Sequence, residues 1–195
     1  KIRDPERVYR AYPHELSGGM GQRVMIAMML IPDPSLLIAD EPTSALDVTV
    51  QRKILANIDD LVQEKGMGLI FISHDLNLVA SFCDRVLIMY AGRVVEVCRA
   101  SDLSKAKHPY TQGLLECIPI PGKTKRGEHL GSIPGIVPSL VGKLQGCRFS
   151  DRCEYVTPSC STNDIALIDG VEYGHKYRCL LSVEKCSENL RQRVP

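Results

Sequence analysis

The sequence has almost no net charge and no long apolar run, and each absence excludes a class of protein. Its 24 Lys and Arg residues against 23 Asp and Glu residues leave a formal charge of +1, which gives no electrostatic argument for binding nucleic acid. Hydrophobic residues make up 44% of the chain, but no apolar run approaches the roughly 18 residues of a membrane-spanning helix. The composition therefore predicts a soluble intracellular protein that binds no nucleic acid.

Two further features are missing. The glycine-rich loop GxxxxGK[ST], whose backbone and lysine hold the β and γ phosphates of a nucleotide, occurs nowhere in the sequence. The chain also opens on Lys1-Ile2-Arg3 without an initiator Met or the apolar segment of a signal peptide. We therefore expect the sequence to be a piece of a longer polypeptide.

The first motif that is present is ELSGGMGQR, at residues 15–23. Gly18 and Gly19 lack Cβ atoms and let the backbone approach an anion closely, and the following VMIAMMLI has the composition of a helix start. Such a turn offers backbone N–H groups, the Ser17 hydroxyl and the positive end of a helix dipole to a phosphate. The alternative is that Ser17 only caps the helix.

The second motif is LLIADEPTSALD, at residues 36–47. Its apolar run predicts a buried parallel strand that ends in Asp40 and Glu41, at the edge of the sheet where α/β proteins bind ligands. Adjacent strand residues point to opposite sides, so Asp40 can hold Mg²⁺ through its water shell and Glu41 can polarise an attacking water. The alternative is that the two acids cap the next element.

A second apolar run, residues 69–72, precedes His74. Its β-branched and aromatic residues predict a neighbouring strand. An isolated His at a strand end is more often a satisfied polar residue than a catalytic one. The accompanying motifs favour a functional role here, because phosphoryl transfer needs a metal, a base and phosphate donors in one place.

These motifs, in this order, resemble the C-terminal half of an ABC transporter ATPase subunit. The resemblance implies ATP and Mg²⁺ as cofactors, with Mg²⁺ held by Asp40 and with Glu41 and His74 as catalytic residues. His74 would be the switch histidine that contacts the γ-phosphate. The residues implied to bind the nucleotide are Ser17, Gly18, Gly19, Gln22 and Asp47. Of these, Asp47 would lie in the loop that touches the opposite ATPase subunit.

In that family each composite site combines the phosphate loop and Asp-Glu pair of one subunit with the signature of the other. We therefore expect the full-length subunit to be an ABC-type ATPase and the isolated chain to be inactive. The signature also departs from the oligopeptide branch, where LSGGM is usually followed by Arg rather than Gly21. A third glycine in the first turn costs up to about 1 kcal/mol of helix stability, which could weaken one of two paired sites.

The remaining pattern of residues 1–104 predicts an α/β fold. Helices are expected over 50–64, with Ile54, Ile58, Leu61 and Val62 on one face, and over 75–83. RVLIMYAGRVVEV predicts a hairpin that turns at Ala91-Gly92. By resemblance this is the C-terminal half of a P-loop NTPase-like ABC ATPase core with a mainly parallel sheet and flanking helices, carrying the signature, Walker B, D-loop and H-loop.

Residues 105–195 predict a small cysteine-containing extension. HPYTQGLL, IPGIVPSL and GCRFSDRC resemble the C-terminal extension of oligopeptide, dipeptide and nickel transport ATPases. The resemblance implies a subunit that energises import of peptides, nickel or a similar solute at the cytoplasmic face of a bacterial or archaeal inner membrane. Its partners would be a second ATPase subunit, identical or paralogous, transmembrane permease subunits and, indirectly, an extracytoplasmic solute-binding protein. The alternative is a non-catalytic interaction or metal-binding subunit that pairs with another ATPase.

Eight cysteines occur in the chain, and four of them fall together with the spacing C-x5-C-x6-C-x18-C. These are Cys147, Cys153, Cys160 and Cys179. The spacing lacks the close CxxC pairs of common zinc modules, and a reducing compartment disfavours disulfides. A 4Fe-4S cluster, zinc and unligated thiols therefore stay open, with Cys186 as a spare thiol. A metal centre would act as a structural staple, because the extension has little apolar core of its own.

Overall fold

The computed structural model describes residues 2, 4–44, 46–118, 131–142 and 145–181. The chain forms two compact units, Lys1–His74 and Asp75–Pro195. Across the described ranges, no helix is both long and apolar enough to cross a membrane. The spare thiol of Cys186 lies outside the described residues.

The first unit alternates helices with a two-stranded parallel sheet. Strand β1 pairs with β2 in a register that sets Leu36 opposite Gly68 and Asp40 opposite Ile72, which confirms that the two apolar runs are neighbouring strands. The elements are α1 (Pro5–Arg10), a 3-10 turn (Pro13–Glu15), α2 (Gly18–Leu30), β1 (Leu36–Asp40), α3 (Val48–Lys65) and β2 (Gly68–Ile72).

Helix α3 has a capping residue at each end. The Asp47 carboxylate caps it by accepting hydrogen bonds from the backbone N–H groups of Thr49 and Val50, at 3.0 and 2.9 Å. At the other end Gly66 adopts the left-handed conformation, with φ of 60°, as helix C-caps commonly do. The expected apolar face is confirmed at Ile54 and Ile58, which are fully buried.

Strand β1 is buried on one face only. Leu37 and Ala39 are buried, whereas Leu36 and Ile38 are about half exposed, at 50% and 54%. A strand buried on both faces was expected from the apolar run, and that expectation is wrong. An all-apolar run does not reveal which of its two faces is covered, because coverage depends on what packs there rather than on the strand itself.

The second unit begins with α4 (Leu76–Phe82) and the expected hairpin of β3 (Arg85–Tyr90) and β4 (Arg93–Arg99). Ala91 and Gly92 form the turn with φ of 48° and 74°, as a two-residue hairpin turn requires. A 3-10 helix (Ala100–Lys105) and α5 (Pro109–Glu116) follow.

The extension adds short elements to this hairpin: a 3-10 turn (Ser150–Arg152), α6 (Pro158–Thr162), β5 (Ile168–Asp169) and β6 (Lys176–Tyr177). Strand β6 pairs antiparallel with β4, and β5 pairs with β6. Four described strands are thus antiparallel and only β1 and β2 are parallel. The α/β class is confirmed, but the sheet structure is mixed rather than mainly parallel, because the extension builds onto the hairpin edge.

One core serves both the hairpin and the extension. Phe149 from the extension is 4% exposed and packs edge-on against Tyr90, with ring centroids 5.2 Å apart. Arg152 adds hydrogen bonds to the carbonyl oxygens of Ile133 and Pro134, at 2.8 and 2.7 Å. The extension therefore shares an apolar core with the hairpin instead of standing on a small core of its own.

Candidate nucleotide site and cysteine cavity

Glu41 lies where the chain leaves β1. Its backbone N–H donates to the carbonyl of Ile72 at 2.9 Å, which extends the β1–β2 ladder by one step beyond Asp40. Its φ is 45°, a left-handed value that is uncommon outside glycine. Such strained backbone concentrates at functional sites, and here it falls on the predicted base.

The Glu41 carboxylate holds His74. Its Oε1 accepts the backbone N–H of His74 at 3.0 Å and lies 2.8 Å from Nδ1 of the imidazole ring. The His74 side chain is 83% exposed and that of Glu41 35%. The structure thus brings the two predicted catalytic residues together at the carboxyl ends of neighbouring strands, beside the exposed Asp40.

The signature residues open on a cavity of about 390 Å³. Ser17 stands at the N-cap of α2, yet its hydroxyl makes no capping hydrogen bond to the described part of the chain. The first turn of a helix leaves backbone N–H groups without intrahelical partners, and Gly18 and Gly19 occupy that turn. The cavity is lined by Ser17, Gly18, Gly19, Met20, Arg23, Leu46, Asp47, Val50 and Lys53.

The three glycines of the motif have different surroundings. A Cβ on Gly19 would lie 2.6 Å from Cγ1 of Val50, and one on Gly18 would lie 3.3 Å from Cδ2 of Leu46. A Cβ on Gly21 would meet nothing within 4 Å. Close packing of α2 against the start of α3 therefore requires Gly19, whereas Gly21 leaves room for a side chain.

Two of the residues predicted to bind nucleotide have structural partners. The Gln22 amide donates to the carbonyl of Pro42 and Gln22 does not line the cavity, so it ties α2 to the loop after Glu41. Asp47 lines the cavity, but its Oδ1 caps α3. Their predicted contact with nucleotide stays a prediction.

Sequence reasoning missed two cations in this cavity, Arg23 and Lys53. The Nε atom of Arg23 is buried and has no partner within the described ranges. Arg23 was visible inside the motif itself, whereas Lys53 lies on α3, outside the motif. Both cations favour an anion there.

In the second unit, Cys147, Cys153, Cys160 and Cys179 line one small cavity of about 10 Å³. The seven described cysteines are all thiols, with no disulfide among them. Cys98 lies apart in the apolar core, where burial raises the pKa of its thiol to about 12. The four cysteines thus line one cavity, and their role as metal ligands stays a prediction.

Polar groups of the backbone and of Thr157 lie near these four sulfurs. The backbone N–H of Leu181 donates to Sγ of Cys179 at 3.5 Å, and the hydroxyl of Thr157 lies 3.3 Å from Sγ of Cys160. Burial raises the pKa of the Cys147 and Cys153 thiols, while backbone hydrogen bonds from residues 149, 150 and 155 oppose that rise. Within the described ranges, however, no three His, Cys, Asp or Glu side chains are arranged to hold a metal ion.

Comparison with known proteins gives the family. A family model for the C-terminal region of oligopeptide/dipeptide transporters matches residues 95–160, and an ABC transporter model matches residues 1–44. A probable peptide ABC transporter ATP-binding protein of Sinorhizobium fredii is 47% identical over 94% of this chain and 55% of its own length. The chain belongs to the ABC transporter ATP-binding proteins of the oligopeptide/dipeptide type.

Other relatives of this ABC protein carry similar names. The oligopeptide transport ATP-binding protein OppD of Haemophilus influenzae is 44% identical over 95% of this chain and 56% of its own length. The chain spans about half the length of these two curated relatives. Among solved structures, a dimeric ATP-binding cassette with ADP and Pi is 32% identical, with a TM-score of 0.45 over 51% of this chain and 41% of that chain.

The second unit of this ABC protein contains a buried ion pair that the sequence did not reveal. His175 Nε2 lies 2.7 Å from Oε1 of Glu96, and both residues are buried, at 1% and 0% exposure. The hydrogen bond to Glu96, opposed by burial and aided by Glu172, raises the pKa of His175. Glu96 also accepts the backbone N–H groups of Lys107 and His108, so it joins β4, α5 and the extension.

His108 itself was missed as a site residue. It is 1% exposed, lines the cysteine cavity and accepts the backbone N–H of Tyr110 on Nδ1 at 3.1 Å. Burial lowers its pKa to about 4. Only its place in the HPYTQGLL segment could have drawn attention to it.

Proposed function

We propose that this chain supplies the signature and the Asp-Glu-His part of the ATP-hydrolysing sites in a subunit that energises an importer of peptides, nickel or a similar small solute. The observation that carries the proposal is the contact of 2.8 Å between Glu41 and His74. It matches the arrangement in which a catalytic base is oriented by a hydrogen bond to a neighbouring group. The printed names of the relatives, which refer to peptide transport, support the class of solute.

Each residue at this edge has a distinct chemical task. Asp40 is exposed at the end of β1, where its carboxylate can hold Mg²⁺ through water ligands. Glu41 takes a proton from the attacking water onto its carboxylate, and His74, held by Oε1 of Glu41, faces the γ-phosphate. Bound Mg²⁺ supplies charge stabilisation for the phosphoryl group.

The signature cavity serves a second nucleotide. Within the described residues the Ser17 hydroxyl makes no capping hydrogen bond, Gly18 and Gly19 present backbone N–H groups, and Arg23 and Lys53 add positive charge. Together they suit the phosphates of an ATP held by a second ATPase subunit, identical or paralogous. Permease subunits would anchor the pair at the cytoplasmic face of the inner membrane, and a solute-binding protein would deliver the cargo.

MgATP hydrolysis tests this proposal. The rate is measured for this chain alone and for a polypeptide that joins it to the preceding phosphate-loop segment of a relative. Activity confined to the joined polypeptide is the expected result. Inactivity of both, with the joined polypeptide folded and paired, would favour the alternative of a non-catalytic subunit that pairs with another ATPase.

We further propose that Cys147, Cys153, Cys160 and Cys179 hold a metal centre, with a 4Fe-4S cluster favoured over zinc. Thiols are the ligand type that both groups take, four of them line one cavity, and backbone N–H groups near Cys147, Cys153 and Cys179 would stabilise thiolates. Binding would require the four side chains and their cavity of about 10 Å³ to rearrange, since no three of them are arranged for metal in the described structure. A bound centre would supply cross-links between the segments of the extension.

Metal analysis after anaerobic loading with ferrous iron and sulfide, or with Zn²⁺, tests the centre. The unmodified chain and a Cys83→Ser control, whose thiol lies outside the cavity, should retain metal, and Cys153→Ser should lose it. Equal metal contents in all three chains would contradict the assignment of these ligands.

A further inference from the structure

A tight turn carries the chain from the end of β1 past the predicted base; residues 41–44 are called the Glu41 turn below. The carbonyl of Glu41 accepts the backbone N–H of Ser44 at 3.1 Å, and Pro42 takes the second position, which suits its fixed φ. The two central residues, Pro42 and Thr43, are buried. Glu41 has φ of 45°, and such a conformation persists only where its surroundings enforce it. Contacts to this turn therefore determine where the base stands.

Two glutamine side chains hold the two central residues of the Glu41 turn. The amide of Gln22 donates to the carbonyl of Pro42, and the amide of Gln51 donates to the hydroxyl of Thr43 at 3.3 Å. Both hydrogen bonds are partly buried, where a hydrogen bond is electrostatically stronger than in water. The turn is thus fastened to α2 by one residue and to α3 by the next.

Each glutamine lies about one helical turn beyond a residue that lines the signature cavity. Gln22 follows Gly18 by four positions on α2, and Gln51 follows Asp47 by four positions at the start of α3. The two helix starts that line the signature cavity are therefore the same two that hold the Glu41 turn.

We infer that Gln22 and Gln51 are positioning residues that hold Glu41 in the conformation in which its carboxylate contacts His74. The inference rests on the proposed function, because it takes Glu41 as the base. Each glutamine acts through the turn and needs no contact with the nucleotide. A base that is displaced by about 1 Å can slow the chemical step by up to about 100-fold, while the binding of ATP stays the same.

Methionine at either position keeps the length of the side chain and removes the donor. In the polypeptide that joins this chain to the phosphate-loop segment of a relative, Gln22→Met and Gln51→Met should each lower kcat for MgATP roughly 3- to 10-fold, as expected for one lost hydrogen bond. KM for ATP should change little. Gln63→Met is the matched control, because Gln63 is an exposed glutamine of α3, about three helical turns beyond Gln51. It should leave kcat unchanged.

Combination with Glu41→Gln shows whether the glutamines act through Glu41. Once the base is removed, a positioning residue has nothing left to position, so Gln22→Met and Gln51→Met should not slow single-turnover hydrolysis by Glu41→Gln any further. A general loss of packing would instead slow hydrolysis by the same factor with and without the carboxylate of Glu41.

Equal factors in the two backgrounds would overturn the positioning role and leave Glu41 as the base. An unmodified kcat for either methionine variant would overturn the role of that glutamine. A raised KM with an unchanged kcat for Gln22→Met would also overturn it and would assign Gln22 to the nucleotide. A Glu41→Gln polypeptide that hydrolyses MgATP at the unmodified rate would overturn the proposed function and, with it, the role of both glutamines.

Discussion

Glu41 shows at the scale of single residues what the sequence can and cannot predict. The apolar run followed by two acids places Glu41 at a strand end, and the second run places His74 beside it. The sequence does not predict that Glu41 adopts φ of 45° or that one carboxylate oxygen accepts both the backbone and the ring of His74. These features depend on the loop conformation after β1, which no periodicity encodes.

Replacement of His74 tests the contact with Glu41. In the joined polypeptide, His74→Ala should lower kcat for MgATP roughly 100-fold or more, because positioned acid-base partners contribute about 10²–10⁴-fold, and should change KM for ATP little. His14→Ala, an exposed histidine outside the strand edge, is the control. A kcat for His74→Ala equal to that of His14→Ala would contradict the assigned role.

The buried pair of Glu96 and His175 predicts a pH dependence of stability. Because the folded state raises the pKa of His175 above 6.5, the pair contributes stability that is fully present below about pH 6.5 and is lost as the pH rises through the raised value. Chemical denaturation monitored in the second unit should therefore show a loss of stability above that pH.

Glu96→Gln is the control for this titration, because it keeps the shape of the side chain and removes the charge. The variant should be less stable at low pH and should show a flatter pH profile. A profile for the unmodified chain that parallels that of Glu96→Gln would contradict the role of the pair.

At the scale of elements, helix α2 separates glycines that look alike in the sequence. The motif predicts a helix start, which the structure confirms at Gly18–Leu30. It cannot tell that Gly19 is required by the side chain of Val50 while Gly21 faces open space, because that difference arises from how α3 packs on α2. Glycine in place of the usual Arg at position 21 is therefore expected to lower the stability of the first turn of α2 only.

Two alanine substitutions test this difference. Gly21→Ala should raise the unfolding free energy of the first unit by about 0.5–1 kcal/mol, since alanine restricts the unfolded chain and favours helix. Gly19→Ala should lower it, because its Cβ would collide with Val50 at 2.6 Å. Chemical denaturation followed in the first unit gives both values, and a stabilising Gly19→Ala would contradict the packing argument.

At the scale of the whole molecule, the boundary between the two compact units does not coincide with the position where the composition changes. The composition changes near residue 105, whereas the second compact unit begins at Asp75 and includes the hairpin. Strand β6 has only two residues, Lys176 and Tyr177, and no alternation that could predict its pairing with β4. The four-cysteine group was predictable from spacing, but the orientation of His108 towards that cavity was not.

Loss of one clustered cysteine should affect the two units differently. With metal loaded, Cys153→Ser should reduce hydrogen-exchange protection in residues 145–181 and leave that of residues 4–74 unchanged, because the centre would cross-link only the extension. Because the hairpin shares the core around Phe149, it should lose little hydrogen-exchange protection. Full retention of protection in residues 145–181 would contradict a structural metal centre.

The most direct test of the whole account is the MgATP hydrolysis rate of Glu41→Gln in the joined polypeptide. The substitution keeps the size of the side chain and removes the carboxylate that contacts His74. The account predicts a fall in kcat of roughly 100- to 10,000-fold with ATP binding retained. A Glu41→Gln polypeptide that hydrolyses MgATP at the unmodified rate would contradict the claim that this strand edge carries the chemistry.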